Sequence, residues 1–243
     1  MMTKQLGSSG RCESLLESIV RAEQASRPLI GSWNCIGSPD VTEVLADSGM
    51  DFVCIDVEHS GISLETVAHN IRAAQAALCL PVVRVAGLGP GQPNFKEIMR
   101  VLDLGATAVI VPGILSKTDV QAALGAGQFT KTRMPGCDSG FRGANPFVRA
   151  GRHGLHAPSD YHRNSNAQTL IIPLLETPSA LQNVEDIMQV EGLQVVAFGP
   201  FDLSVAMGFD GVRTKEVMPC LVLSFTLLTF EVTSVERSLA CNR

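Results

Sequence analysis

The sequence predicts an α/β protein built as a TIM-type (β/α) barrel that is incomplete at its C-terminal end. Three observations carry this. Short apolar runs begin at residues 29, 51, 81 and 107, at steps of 22, 30 and 26 residues, with helical patterns between them. That is the rhythm of βα units. The runs are apolar throughout rather than alternating, as strands buried on both faces are. No dinucleotide-binding glycine fingerprint follows the first run, which favours a barrel over an open doubly wound sheet. The chain divides into a helical extension at 1–28, barrel units one to six at 29–211, and a divergent tail at 212–243.

Residues 29–35 (LIGSWNC) are the first strand, and Ser38-Pro39-Asp40 opens a helix through Ala46. A capping serine, proline at the first helical position and an early acid are start signals. Residues 51–56 (DFVCID) are the second strand, and Ser63 caps a helix to about Ala77. Strand three is 81–85 (PVVRV), followed by a helix over 93–104; strand four is 107–112 (TAVIVP), followed by a helix from about Ser116. Residues 170–175 (LIIPLL) and 193–198 (LQVVAF) are strands five and six, with a helix over 179–190 between them.

Two places break the rhythm. Residues 128–168 form a stretch rich in Gly, Arg, Asn, His and Pro between strands four and five, and loops of such length are usually functional or mobile. Only 32 residues follow Gly211, room for one more unit and not two. Within them 220–230 (CLVLSFTLLTF) is uncharged and without period, either a buried seventh strand or an exposed edge seeking a partner.

Composition excludes several function classes. Of 243 residues 45% are hydrophobic and 18% charged, enough apolar material for a core and too much for disorder. Nineteen basic residues against 24 acidic ones give a formal charge of −5, so no basic footprint exists for nucleic acid or an anionic membrane. One Trp and one Tyr provide no platform for stacking bases. The seven cysteines are odd in number and show no C-x-x-C spacing; Cys54 and Cys79 sit in apolar runs as core residues. No secretory signal or membrane-spanning run is evident, and the expectation is a cytoplasmic protein.

In a parallel barrel, reactive groups belong at the C-terminal strand ends. Reading only those positions collects Asp56, His59, Arg84, Glu176 and Asp202 at one rim. Glu176 and Asp202 follow consecutive strands. Each alone is explained as a helix N-cap; together they form an oxygen pair that suits a hard divalent ion retaining open positions. Asp56 and His59 are three apart past strand two, where a carboxylate can fix an imidazole for proton transfer, or the histidine can simply bond a loop carbonyl. Glu58 is an alternative member of that trio or a solvent-facing residue. Arg84 interrupts an apolar strand and needs an anionic partner, either a structural salt bridge or a substrate carboxylate or enolate. None of the five lysines lies in a strand, which disfavours a Schiff-base aldolase; Lys117 is the weak exception. His153, His156 and His162 lack the spacing of a helical zinc site.

At these residues the sequence resembles the HpcH/HpaI family of metal-dependent pyruvate aldolases over residues 29–211. The likeness rests on D-x-E-H (Asp56, Glu58, His59), PVVR ending at Arg84, LDLGA around Asp103, ET after an apolar strand at Glu176, and GPFDLS around Asp202. It implies a (β/α)8 barrel with a divalent ion, Mg2+ or Mn2+ with Co2+ a third candidate, held at Glu176 and Asp202. It implies that Arg84 contacts the pyruvate oxygen, that Asp56 and His59 assist proton transfer, and that Gly199, Pro200 and Phe201 line the substrate site. It further implies that Asp103 reaches a neighbouring subunit's site in a homo-oligomer, commonly a hexamer. The partners it implies are a small 2-oxo acid and an aldehyde. Two departures stand out: Leu174 where the family often has Gln or Met, and no recognisable counterpart of the last two βα units after Gly211. The alternatives are a lyase acting on a CoA thioester, for which the arginines at 133, 142, 149 and 152 would serve the phosphates, and an inactive or incomplete gene product.

Overall fold

Among the described residues six strands run parallel, each hydrogen-bonded to the next in chain order: β1 (Gly31–Asn34), β2 (Phe52–Asp56), β3 (Leu80–Arg84), β4 (Ala108–Val111), β5 (Leu170–Leu175) and β6 (Ala197–Phe198). A doubly wound sheet reverses its order at a switch point; this one does not, and the described strands form part of a barrel wall. The computed structural model describes residues 14–130, 140–155 and 157–211. The expected tail strand at 220–230, together with His156 and Arg133, lies outside the described residues.

The helices are α1 (Leu15–Gln24), α2 (Pro39–Asp47), α3 (Leu64–Ala76), α4 (Phe95–Leu104), α5 (Lys117–Gly127), α6 (Pro158–Gln168), α7 (Pro178–Gln182), α8 (Val184–Met188) and α9 (Pro200–Ala206). Several starts follow the sequence signals, although Ser38, at the N-cap of α2, makes no side-chain cap bond. Ser63 accepts from the Thr66 N–H, and Ser116 forms a reciprocal capping box with Asp119. Helix α4 ends at Gly105, whose φ of 102° is the left-handed cap that glycine supplies without strain.

Strand alternation sorts the core into two layers. Ile55, Val83, Val109, Ile171 and Leu175 pack outward against Val67, Ile71, Ile98, Val101 and Val120 of the helices. Cys54, Val82, Ala108, Ile110, Leu170, Ile172 and Leu174 face the lumen, joined by Leu15 of α1. Because Leu80, Ala108 and Leu170 begin their strands, α1 stoppers the N-terminal end of the lumen. Two residues past the lumen-facing Cys54, Val82 and Leu174 stand Asp56, Arg84 and Glu176, so period-2 geometry delivers all three to the open end.

Three expectations need correction. The stretch 128–168 is not all loop, since 158–168 form α6, a polar helix with only Tyr161 buried. The helix expected over 179–190 is two short ones that meet at Asn183. The sixth strand is two residues long, not six: among the described residues Leu174↔Ala197 and Leu175↔Phe198 are its pairings, and residues 193–196 have no neighbour there in the sheet.

Candidate active site

The turn after β2 is organised by one buried carboxylate. Asp56 is fully buried, and Arg84, its register partner on β3, holds it with two parallel bonds, Nε to Oδ1 at 2.8 Å and Nη2 to Oδ2 at 2.5 Å. Asp56 Oδ1 also accepts the backbone N–H groups of Glu58 and His59, at 3.0 and 3.4 Å. The Cys35 thiol donates to Oδ2 at 3.5 Å; burial and the adjacent carboxylate push that thiol's pKa up, so it stays a donor. Burial alone would raise the Asp56 carboxyl, but the Arg84 guanidinium outweighs it and holds the group below the usual carboxylate range. Arg84 therefore has its anionic partner within the barrel wall.

The remaining donor, Arg84 Nη1, lies 3.4 Å from Glu58 Oε2. That oxygen is buried and takes no hydrogen bond among the described residues. Burial, with the nearby Glu176, pushes the Glu58 carboxyl up against the pull of Arg84. The His59 imidazole is 63% exposed and lies 3.9 Å from the same Oε2. The side chain that faces His59 is thus Glu58 rather than Asp56, which meets His59 through the backbone only.

A cleft of about 340 Å3 opens at this end of the barrel, lined by Glu58, His59, Glu176 and Asp202 together with Gly113 and Thr177. Glu176 is held from both sides. Its Oε1 accepts the Gly113 N–H at 3.0 Å, and Gly113 adopts a φ of +71° in the loop after β4. On the other side a Cβ at Gly199 would stand 2.8 Å from Glu176 Cβ and 3.1 Å from Oε2, so only glycine leaves room for this rotamer. Burial, reinforced by Asp202 and countered by the Gly113 N–H, pushes the Glu176 carboxyl up. Two carboxylates on one cleft, with Glu176 desolvated and facing the charge of Asp202, form a set that a doubly charged cation would relieve.

Other expected site residues lie apart. Pro200 and Phe201 begin α9, but the exposed Phe201 ring turns toward Gly211 and does not line the cleft, and the Gly199 N–H is taken by the Leu175 carbonyl. Asp103 sits near the C-terminus of α4, at the opposite end of the barrel wall, bonded to the buried Arg142 at 2.6 Å. Arg142 also donates to Tyr161 and Ser165 and stacks on Phe129. His162 stacks on Phe129, and no cluster of three or more metal-ligating side chains exists among the described residues.

Sequence reasoning left Glu58 undecided and missed Gly113, Gly199's steric role and Trp33, whose ring lies 4.6 Å from the Arg84 guanidinium. The last carried a signal: it is the chain's one tryptophan, placed on the first strand.

Residues 29–223 match the family model described as HpcH/HpaI aldolase/citrate lyase. The chain belongs to this family. A hydroxypyruvate/pyruvate aldolase of Sagittula stellata is 31% identical over 202 residues, 83% of this chain and 74% of the relative. A 4-hydroxy-2-oxo-heptane-1,7-dioate aldolase of Escherichia coli is 32% identical over 80% of this chain and 69% of the relative. Among solved structures, an HpcH/HpaI family protein of Burkholderia cenocepacia shares a TM-score of 0.71 at 32% identity, covering 80% of this chain and 73% of that one. The citrate synthase SbnG shares 0.73 at 30% identity, covering 89% and 78%. The named aldolases are carbon–carbon lyases, so the enzyme class expected from the sequence stands with the family. No helix among the described residues is long and apolar enough to cross a membrane.

Proposed function

We propose that this chain is a divalent-metal-dependent aldolase that makes or breaks the bond between C3 of pyruvate and an aldehyde carbon, with a 4-hydroxy-2-oxo acid as the joined compound. The observation that carries the reading is the pair Glu176 and Asp202 on one cleft, beside the exposed imidazole of His59 at its rim. Mg2+ or Mn2+, with Co2+ a third candidate, would be held by these two carboxylates. Such an ion supplies Lewis-acid polarisation of the 2-oxo oxygen.

The chain's own residues divide the remaining work. Gly113 and Gly199 orient Glu176 so that one oxygen is committed and the other is left for the cleft. In the cleavage direction His59 takes the 4-hydroxyl proton at Nε2, with Glu58 stabilising the imidazolium that results. The C3–C4 bond then breaks, the aldehyde leaves, and the electron pair rests on the pyruvate enolate until C3 is reprotonated. Arg84 sets a fixed positive charge behind Glu58, where a preorganised cation lowers the cost of enolate charge. Asp56 serves Arg84 rather than the proton.

The likeness to a citrate synthase favours a second reading, in which the same site condenses an enolate with a different carbonyl acceptor. A CoA thioester has less support: Arg142 is committed to Asp103, and Arg149 to the Leu104 carbonyl and Gln75, so neither arginine is available to a phosphate. The chain is further read as one subunit of a homo-oligomer, a hexamer by resemblance. The exposed rings of Phe95, Phe141 and Phe147 support this, and light scattering tests it.

Protein stripped of metal and given Mn2+ and pyruvate in D2O should exchange the C3 protons, read by NMR, and should form a 4-hydroxy-2-oxo acid when a short aldehyde is added. No exchange with any divalent ion would remove the proposal. Exchange without aldehyde addition, but with product from another carbonyl acid, would move it to the second reading.

A further inference from the structure

Arg84 is held by more than its carboxylates. The indole of Trp33, on edge strand β1, lies against the guanidinium with 4.6 Å between Cζ and the ring centroid, while 47% of the residue stays exposed. A flat cation on an aromatic face is attracted electrostatically and is confined to the plane parallel to the ring. Asp56 takes Nε and Nη2, which leaves Nη1 toward Glu58.

Strand β1 is itself anchored on its other face. Asn34, one residue on and so pointing the opposite way, is 1% exposed and donates to Thr42 and Asn70, both fully buried. Its side-chain oxygen accepts the N–H groups of Ile36 and Gly37. A strand paired on one side only among the described residues is thereby fixed at the point where Trp33 projects. A half-exposed tryptophan on a strand edge contributes little to a core, yet buried polar groups keep it in place.

We propose that Trp33 is a positioning residue for Arg84, clamping the guanidinium so that its charge stays fixed behind Glu58 at the cleft. The proposal rests on the reading that Arg84 stabilises the enolate, and the test separates the two. Metal-loaded W33L and W33F are compared with the parent in pyruvate C3 exchange and in thermal midpoint. W33L should exchange roughly threefold to thirtyfold more slowly, the span expected of an exposed to a desolvated cation–aromatic contact. W33F should recover most of that rate although both variants melt alike. In the R84K background W33L should add less than about twofold, since the residue it positions is gone. Equal slowing by W33F and W33L, or losses that multiply in the double variant, overturns the clamp.

The contact is also read without turnover. Trp33 is the only tryptophan, so R84K should shift the intrinsic emission of the metal-free protein, and an unchanged spectrum would refute the stacking. If R84K shifts the emission but exchanges at the parent rate, the clamp exists and the catalytic reading of Arg84 fails instead.

Discussion

Replacing Asp56 with Asn tests how the turn after β2 is built. The carboxylate is fully buried, and the Arg84 side chain is only 11% exposed. In D56N one oxygen can still accept from Nε, but an amide NH2 then faces Nη2, donor against donor. Removing one partner of a buried pair costs about 3–5 kcal/mol. Glu58, 3.4 Å from Nη1, remains as a counter-charge, which places the expected loss near the lower bound, about 3 kcal/mol. At roughly 2–4 °C per kcal/mol for a chain of this size, the midpoint should fall by about 6–12 °C.

The pH dependence of that gap has a definite sign. The folded Asp56 carboxyl lies below its ordinary value, so its stabilisation is present above the unfolded pKa of about 3.9 and is lost as pH falls through the folded value. The difference in midpoint between parent and D56N should hold between pH 8 and 5 and close in stronger acid. Calorimetric melts across that range provide the assay. A midpoint within about 2 °C of the parent at pH 7, about 1 kcal/mol, or a gap that widens in acid, would show that Asp56 is not the anchor described.

Two further substitutions probe the supports. G199A needs no change of backbone region, since φ is −100°, but its methyl would meet Glu176 at 2.8 Å. Aldol turnover should drop on the order of a hundredfold, as displacement of a catalytic group by about an ångström does, and the melting midpoint should fall by about 2–12 °C, since overpacking costs about 1–3 kcal/mol; unchanged kcat/KM would mean the Glu176 position is not critical. R142A leaves Asp103 without its cation and Tyr161 and Phe129 without their contact, and should cost about 3–5 kcal/mol, read as a lower denaturant midpoint at constant m-value; a parental midpoint would contradict the buried pair.

The sequence revealed the barrel because strands buried on both faces are read as apolar runs whatever surrounds them. Residues 170–175 are the clearest case, all six buried. The cap at Ser63 and the helix start near Ser116 were equally local and equally legible. Helix α6 was hidden because PSDYHRNSNAQ buries only Tyr161 and so carries no apolar stripe to detect. The rim position of Asp56, Arg84 and Glu176 follows from counting along strands, but their partners do not. Asp56 and Arg84 are 28 residues apart and meet only through the β2–β3 register. The pinching of Glu176 between Gly113 and Gly199 joins three loops, and no spacing rule anticipates it. Asp103 was placed by resemblance, and its bond to Arg142 spans 39 residues, beyond the reach of any local pattern.

The most direct test is a Mn2+ titration followed by the magnetic-resonance signal of the free ion, comparing the parent with E176Q and D202N. One Mn2+ should bind per parent chain. Each variant should weaken binding by more than the roughly 10–100-fold that loss of an outer partner to a ligand costs. Parental affinity in both variants would show that the cation, if bound at all, sits elsewhere, and would contradict the assignment of this cleft.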